Sequence, residues 1–183
     1  GFDLGSLMTV LDRPGQPPRI LVADIAAGAQ LVADPPAADL ARFSSAYGVN
    51  GAGEDLRRQL HAAHQTPRAR GLAVFLDDIA AHLRVSSVSG AAGASVERLP
   101  IVFVPVSALA ERDRYQHADF LVTWNNVVLE PGRAEGFTSM LAAGDTLARA
   151  AFARGGYTMD FAPLLAESVI LNGGYRCASQ HVR

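Results

Sequence analysis
The chain has 183 residues, 49% hydrophobic and 19% charged, with a formal net charge of −2. That size buries a core without a disulfide or metal staple, and that composition excludes disordered, collagen-like and disulfide-rich proteins. All 16 cations are arginine, clustered no more densely than Arg57-Arg58 and Arg68-Ala69-Arg70, so no basic stripe tracks a phosphate backbone and nucleic-acid binding is not expected.

The first third reads as strands. Leu7–Leu11 and Ile20–Ile25 are apolar, β-branched runs separated by the Pro/Gly turn segment Arg13–Pro18. Ala27-Gly28 is short enough for a tight hairpin into Ala29–Ala33, which predicts a three-stranded N-terminal β-meander. Helical spacing begins at Ala37, with Leu40, Phe43 and Tyr47 on one face, and resumes over Glu54–Gln65, where Leu56 and Leu60 mark the buried side. Residues 71 to 84 suit either a buried strand or a helix; Leu72, Phe75, Leu76, Ile79 and Leu83 extend the helical period past ten residues, which favours helix. Ser86–Ser95, nearly all Ser, Gly, Ala and Val, reads as a flexible loop inside one domain.

Two further central strands are expected, at Ile101–Val104 and Asp119–Leu129, the second broken by Pro131-Gly132. Two C-terminal helices packed on the sheet complete the pattern. Asp145 is the expected N-cap of Thr146–Arg154 with Gly155-Gly156 as its stop, and Asp160 the expected N-cap of Phe161–Asn172. The fold class read from this order is α+β, in a single domain.

Candidate chemistry sits at polar residues in apolar surroundings. Glu167 lies in a segment, Phe161–Leu171, whose apolar residues cover the whole circumference of a helix. A carboxyl buried there is either paired, with Arg149 or Arg176 as partner, or raised in pKa and suited to general acid–base work. Trp124-Asn125-Asn126 interrupts an apolar strand, so that one amide faces the core whichever side is buried. Beside an indole, such amides can orient a planar ligand; the alternative is a bulge where Asn satisfies backbone groups. Glu130, Arg133 and Glu135 flank a Pro-Gly turn, a usual position for a site loop and equally for solvated charge.

The remaining constellations are weaker. His61 and His64 share a helical spacing without an acidic or Cys partner at zinc-binding distance, so no metal is expected. Asp78 and His82 fit a proton relay or an exposed helix contact, and Cys177 and His181 pair only if the tail is helical. No phosphate cradle, dinucleotide fingerprint, nucleophile elbow or paired-Cys motif occurs, and no cofactor is expected. The lone cysteine and the absence of a basic, apolar leader in the opening Gly1–Leu4 read as a cytoplasmic, soluble protein, and no apolar run is long enough for a membrane span. The Ala-, Gly-, Arg- and Pro-rich composition points to a GC-rich bacterium.

Two functions fit these features. The first is a small cofactor-independent enzyme of the isomerase, cyclase or dehydratase type, acting on a mostly apolar biosynthetic molecule. Glu167 would transfer the proton, Trp124 would form a pocket wall, and Asn125 or Asn126 would orient the substrate. The second is a non-catalytic assembly subunit of a homo-oligomer, complex or shell, suggested by Ala-rich helix faces and the uniformly apolar closing segment.

Overall fold
The computed structural model describes residues 7–47, 53–89, 93–105, 120–122, 127–137 and 141–162. Strand β1 (Met8–Leu11) turns back into β2 (Arg19–Asp24), and four helices follow: α1 (Ile25–Leu31), α2 (Ala37–Tyr47), α3 (Gly53–His64) and α4 (Pro67–Ser89). The chain returns through β3 (Ser95–Pro100), β4 (Phe103–Pro105), β5 (Phe120–Val122), β6 (Val128–Glu130) and β7 (Arg133–Phe137), and the described part ends with α5 (Ala142–Arg154) and β8 (Thr158–Ala162). The fold is α+β, as its sequence implies. No helix among the described residues is long and apolar enough to cross a membrane.

Two small mixed sheets carry the architecture. In the first, of order β1-β2-β3, β2 pairs antiparallel with β1, Met8 opposite Val22, and parallel with β3, Leu21 opposite Glu97. In the second, of order β6-β7-β8, β7 pairs antiparallel with β6 and parallel with β8, Glu135 opposite Asp160. Strands β4 and β5 form a separate antiparallel pair. Helix α5 packs on both β3 and β8, and Leu11, Leu21, Leu76, Ile101, Phe152 and Met159 join the halves in one hydrophobic core.

Several expected elements hold. Helix α2 occupies 37–47 with Leu40 and Phe43 buried, α3 buries Leu56 and Leu60, and the ambiguous 71–84 stretch is the middle of α4, with Leu76 and Ala80 fully buried. The meander does not extend to a third strand. Where a hairpin into Ala29–Ala33 is predicted, Asp24 caps a helix instead: its Oδ1 accepts the Ala27 N–H at 2.9 Å, satisfying one of the donors a helix start leaves open. Gly28 is then a packing residue, because a Cβ there would lie 1.8 Å from the Ile101 carbonyl oxygen. Ala-rich sequence after a capping Asp supports helix more strongly than a short apolar alternation supports strand.

The second half departs from the sequence pattern in three places. Helix α4 continues to Ser89 and β3 begins at Ser95, so both ends of the expected 86–95 loop belong to regular elements; 90–92 lie outside the described residues. Helix α5 starts at Ala142, before Asp145, and its first amide is capped from a distance: Asp39 Oδ2 on α2 accepts the Ala142 N–H at 3.0 Å. Asp160 caps no helix at 161, because Thr158–Ala162 is β8. Its carboxylate pairs with Arg133 at 2.8 Å. The remainder of the expected closing helix, from 163 onward, lies outside the described residues.

Candidate functional site
The end of α5 builds the first candidate site. The N–H of Gly156 bonds the Ala153 carbonyl at 2.9 Å and that of Tyr157 the Phe152 carbonyl at 3.0 Å, with Gly156 at φ +79°, the left-handed conformation that closes helix ends. Both glycines are also approached closely: a Cβ on Gly155 would meet Leu11 at 2.5 Å, and one on Gly156 the Arg13 guanidinium at 2.1 Å. The helix end thus seats against β1 and the turn after it. Tyr157, 8% exposed, donates its hydroxyl hydrogen to the Asp12 carbonyl at 2.6 Å, so its ring is fixed in place.

The β6–β7 turn approaches the same place. Gly132 takes φ +77°, as a tight turn requires, and its carbonyl accepts the Thr158 N–H at 2.9 Å. Between the two turns lies a cleft of about 530 Å³ lined by Asp12, Arg13, Pro14, Leu129, Glu130, Pro131, Gly132 and Tyr157. Pro14, Leu129, Pro131 and the tyrosine ring supply apolar walls; Asp12 and Glu130 supply carboxylates and Arg13 a guanidinium. A mostly apolar pocket with few polar groups is the usual form of a small-molecule site, and a carboxylate at its rim can accept or return a proton.

The other charged residues of that turn are committed elsewhere. Arg133 bridges Glu135 at 3.2 Å and Asp160 at 2.8 Å on the surface of the second sheet. Of the three residues flanking Pro131-Gly132 in the sequence, only Glu130 lines the cleft.

His64, noted in the sequence only for its spacing from His61, is buried. It is 3% exposed and stacks on Phe103 with ring centroids 5.0 Å apart. Its Nε2 accepts the Phe103 N–H at 3.1 Å, which leaves the ring proton on Nδ1 to be donated to the Leu60 carbonyl at 2.8 Å. Burial pushes its pKa down, against the raising effect of the Leu60 and Ile101 carbonyls, and nearby His61 lowers it further. A pocket of about 310 Å³ next to it is formed by Ile25, Ala26 and Ala29 of α1, Gln65, and Arg70 and Ala73 of α4. Both ring nitrogens are engaged by backbone, so the neutral ring pins α3 to the segment between β3 and β4.

His61 is exposed while His64 is buried, so the pair does not converge, and no group of three or more potential metal ligands occurs among the described residues. His82 bonds the Asp78 backbone carbonyl at 2.7 Å through Nδ1 on the exposed side of α4. Arg149, one expected partner of Glu167, lies over the Phe161 ring at 4.7 Å. Glu167, Trp124, Asn125 and Asn126 themselves, with Arg176, Cys177 and His181, lie outside the described residues. The Arg13–Pro18 turn and the Gly155-Gly156 pair were visible in the sequence as punctuation. What spacing could not indicate is that they meet each other and the 131–132 turn.

No protein-family model matches the sequence, and no curated protein matches it at a significant level.

Proposed function
We propose that this chain binds a mostly apolar small organic molecule in the cleft between the 12–14 and 129–132 turns and acts on it as a cofactor-independent acid–base enzyme of the isomerase, cyclase or dehydratase type. The observation that carries the binding half is the cleft of about 530 Å³, with a fixed tyrosine ring, proline and leucine walls and, among the described residues, three charged groups. Arg13 orients a polar end of the ligand, and Glu130 or Asp12 exchanges a proton with it. Support for the reaction also comes from the sequence, in which Glu167 interrupts an all-round apolar segment and Trp124, Asn125 and Asn126 precede the strand that ends at Glu130.

Saturation-transfer NMR with indole, p-cresol and cyclohexanone tests the binding half. Signal is expected with the native chain and its loss with Pro14→Trp, which fills the cleft from an exposed position; equal signal in both proteins would refute the site. Deuterium exchange from D2O into the acidic C–H positions of a bound ligand tests the reaction. Glu130→Gln or Asp12→Asn, whichever removes the exchanging carboxyl, should slow it by about 10²- to 10⁴-fold; unchanged exchange in both would remove the cleft carboxylates from the mechanism and leave Glu167→Gln as the variant to slow it.

One observation favours a second reading, an assembly subunit. Gly71, Val74, Phe75, Asp78, Ala81, His82 and Val85 form an exposed row along α4, with Val74 62% and Phe75 49% exposed. Their three- and four-residue spacing is that of a helix-pairing seam, and Gly71 and Ala81 let a second helix approach closely. In an antiparallel pair of copies Asp78 meets His82 of its twin. Light scattering distinguishes this reading: a dimer that Phe75→Arg converts to monomer supports it, and a monomeric native chain at 100 μM or so excludes it.

A further inference from the structure
We infer that a second pocket, on the other side of the β1–β2 turn, is a binding site for a small organic carboxylate. The pocket has about 270 Å³ and is lined by Gln16, Pro17, Arg19, Gly93, Ser95 and Arg154. Three elements bring its two charges and a hydroxyl together: Arg19 begins β2, Ser95 begins β3, and Arg154 ends α5. The two guanidiniums share one carboxylate, Glu97. Arg154 grips it side-on through Nε, at 3.2 Å, and Nη2, while Arg19 reaches it with Nη2 at 2.9 Å.

The charge count at this place is unbalanced. Among the described residues two cations face one anion, and Glu97 is not part of the pocket lining, so the space meets guanidinium edges without the carboxylate that partly neutralises them. Burial pushes the Glu97 carboxyl up, but the hydrogen bonds from Arg154 and Arg19 hold it below the usual range, and it remains a fixed counter-ion. Arg19 Nε is buried and meets no acceptor among the described residues. A buried donor without an acceptor is costly, and an oxygen brought in through the adjoining pocket relieves it after a small turn of a side chain that is 26% exposed.

A planar carboxylate matches what remains. One surplus positive charge calls for a monoanion, guanidinium edges favour a two-oxygen planar partner, and the Ser95 hydroxyl and Gln16 amide offer further donors. The volume, at about 30 Å³ per water-sized group, holds a short-chain acid rather than a large ring. Pro14→Trp, which blocks the cleft of the proposed function, leaves this pocket open, so the two ideas stand or fall separately.

Titration of the full chain with sodium propionate, followed by amide NMR shifts, tests the inference, with propionamide as the uncharged isostere and inorganic phosphate as the competing oxyanion. Saturable shifts centred on Arg19, Gly93 and Ser95 are expected with propionate and not with propionamide. Arg154→Gln should weaken binding about tenfold, and Glu97→Gln, which frees both guanidiniums, should tighten it several-fold, changes of the size expected for a charge-assisted hydrogen bond. A purely structural cluster would give the same propionate response in all three proteins, which overturns the site. Phosphate binding tenfold tighter than propionate overturns the carboxylate assignment. Should Arg154→Gln fail to fold, Glu97→Gln decides alone, since tightening has no structural explanation.

Discussion
The two mixed sheets are built on one plan and finished differently. Each is a hairpin whose second strand receives, after a helical crossover, a parallel partner: β1-β2 then β3, and β6-β7 then β8. In the first the crossover contains four helices, and Leu21, Val22 and Ala23 at the centre of β2 are completely buried. In the second the crossover contains the helix α5, and β7 alternates buried Ala134 with partly or fully exposed Glu135 and Arg133. A strand covered on both faces can be apolar throughout, whereas a strand with a wet face must alternate. The first unit holds the strand covered on both faces, and the two units each bring a turn to the cleft, 12–14 from the first and 129–132 from the second.

Substitution should expose that asymmetry. The largest effect is expected at Gly28, where any Cβ collides with the Ile101 backbone. Gly28→Ala should cost about 3 kcal/mol or more, because the obstacle is main chain and cannot repack; a urea midpoint close to that of the native chain would show that α1 does not hold the first unit as described. Next comes the protonation of His64. Burial lowers its folded-state pKa below the ordinary 6.5, so the unfolded chain takes up the proton first as pH falls. Its contribution is therefore complete above about pH 6.5 and is lost progressively below it, at no more than about 1.4 kcal/mol per pH unit. His61 on the same helix and Arg70 from α4 are the charged or titratable neighbours, and His64→Gln should remove the slope seen in urea midpoints between pH 7 and pH 5. A slope retained by His64→Gln would assign it to another group.

Smaller effects mark the joint between the units. Asp39, 3% exposed, caps the first amide of α5 from α2. Asp39→Ala should cost about 1–2 kcal/mol and raise hydrogen exchange at Ala142–Asp145 while leaving β2 protected; equal loosening of both would mean that the units do not open separately. The smallest change is expected at Glu135, whose bridge to Arg133 lies on the surface of the second sheet. Glu135→Ala should move stability by less than about 1 kcal/mol.

The same asymmetry explains what was legible in the sequence. The all-apolar centre of β2 and the helical periods of α2, α3 and α4 each describe a local environment, and each is present. Ile25–Leu31 misled because a short Ala-rich apolar run has no clear period, and the capping bond of Asp24 decided the outcome. Strands β3, β7 and β8 carry Glu97, Arg98, Arg133, Glu135 and Asp160, charges that mask a strand pattern until their ion-pair partners are known. The candidate cleft was less visible still. Asp12, Arg13, Glu130 and Tyr157 come from turns distant in sequence, and their meeting depends on close approaches at Gly155 and Gly156 that no linear spacing encodes.

The most direct test of the cleft as the working site is amide shift mapping of the native chain with p-cresol. The expected result is a set of saturable shifts at Asp12, Arg13, Gly132 and Tyr157, absent from the Pro14→Trp variant. Shifts confined to other surfaces, such as the outer row of α4, or no saturable shift at any ligand concentration, would contradict a small-molecule site between the two turns.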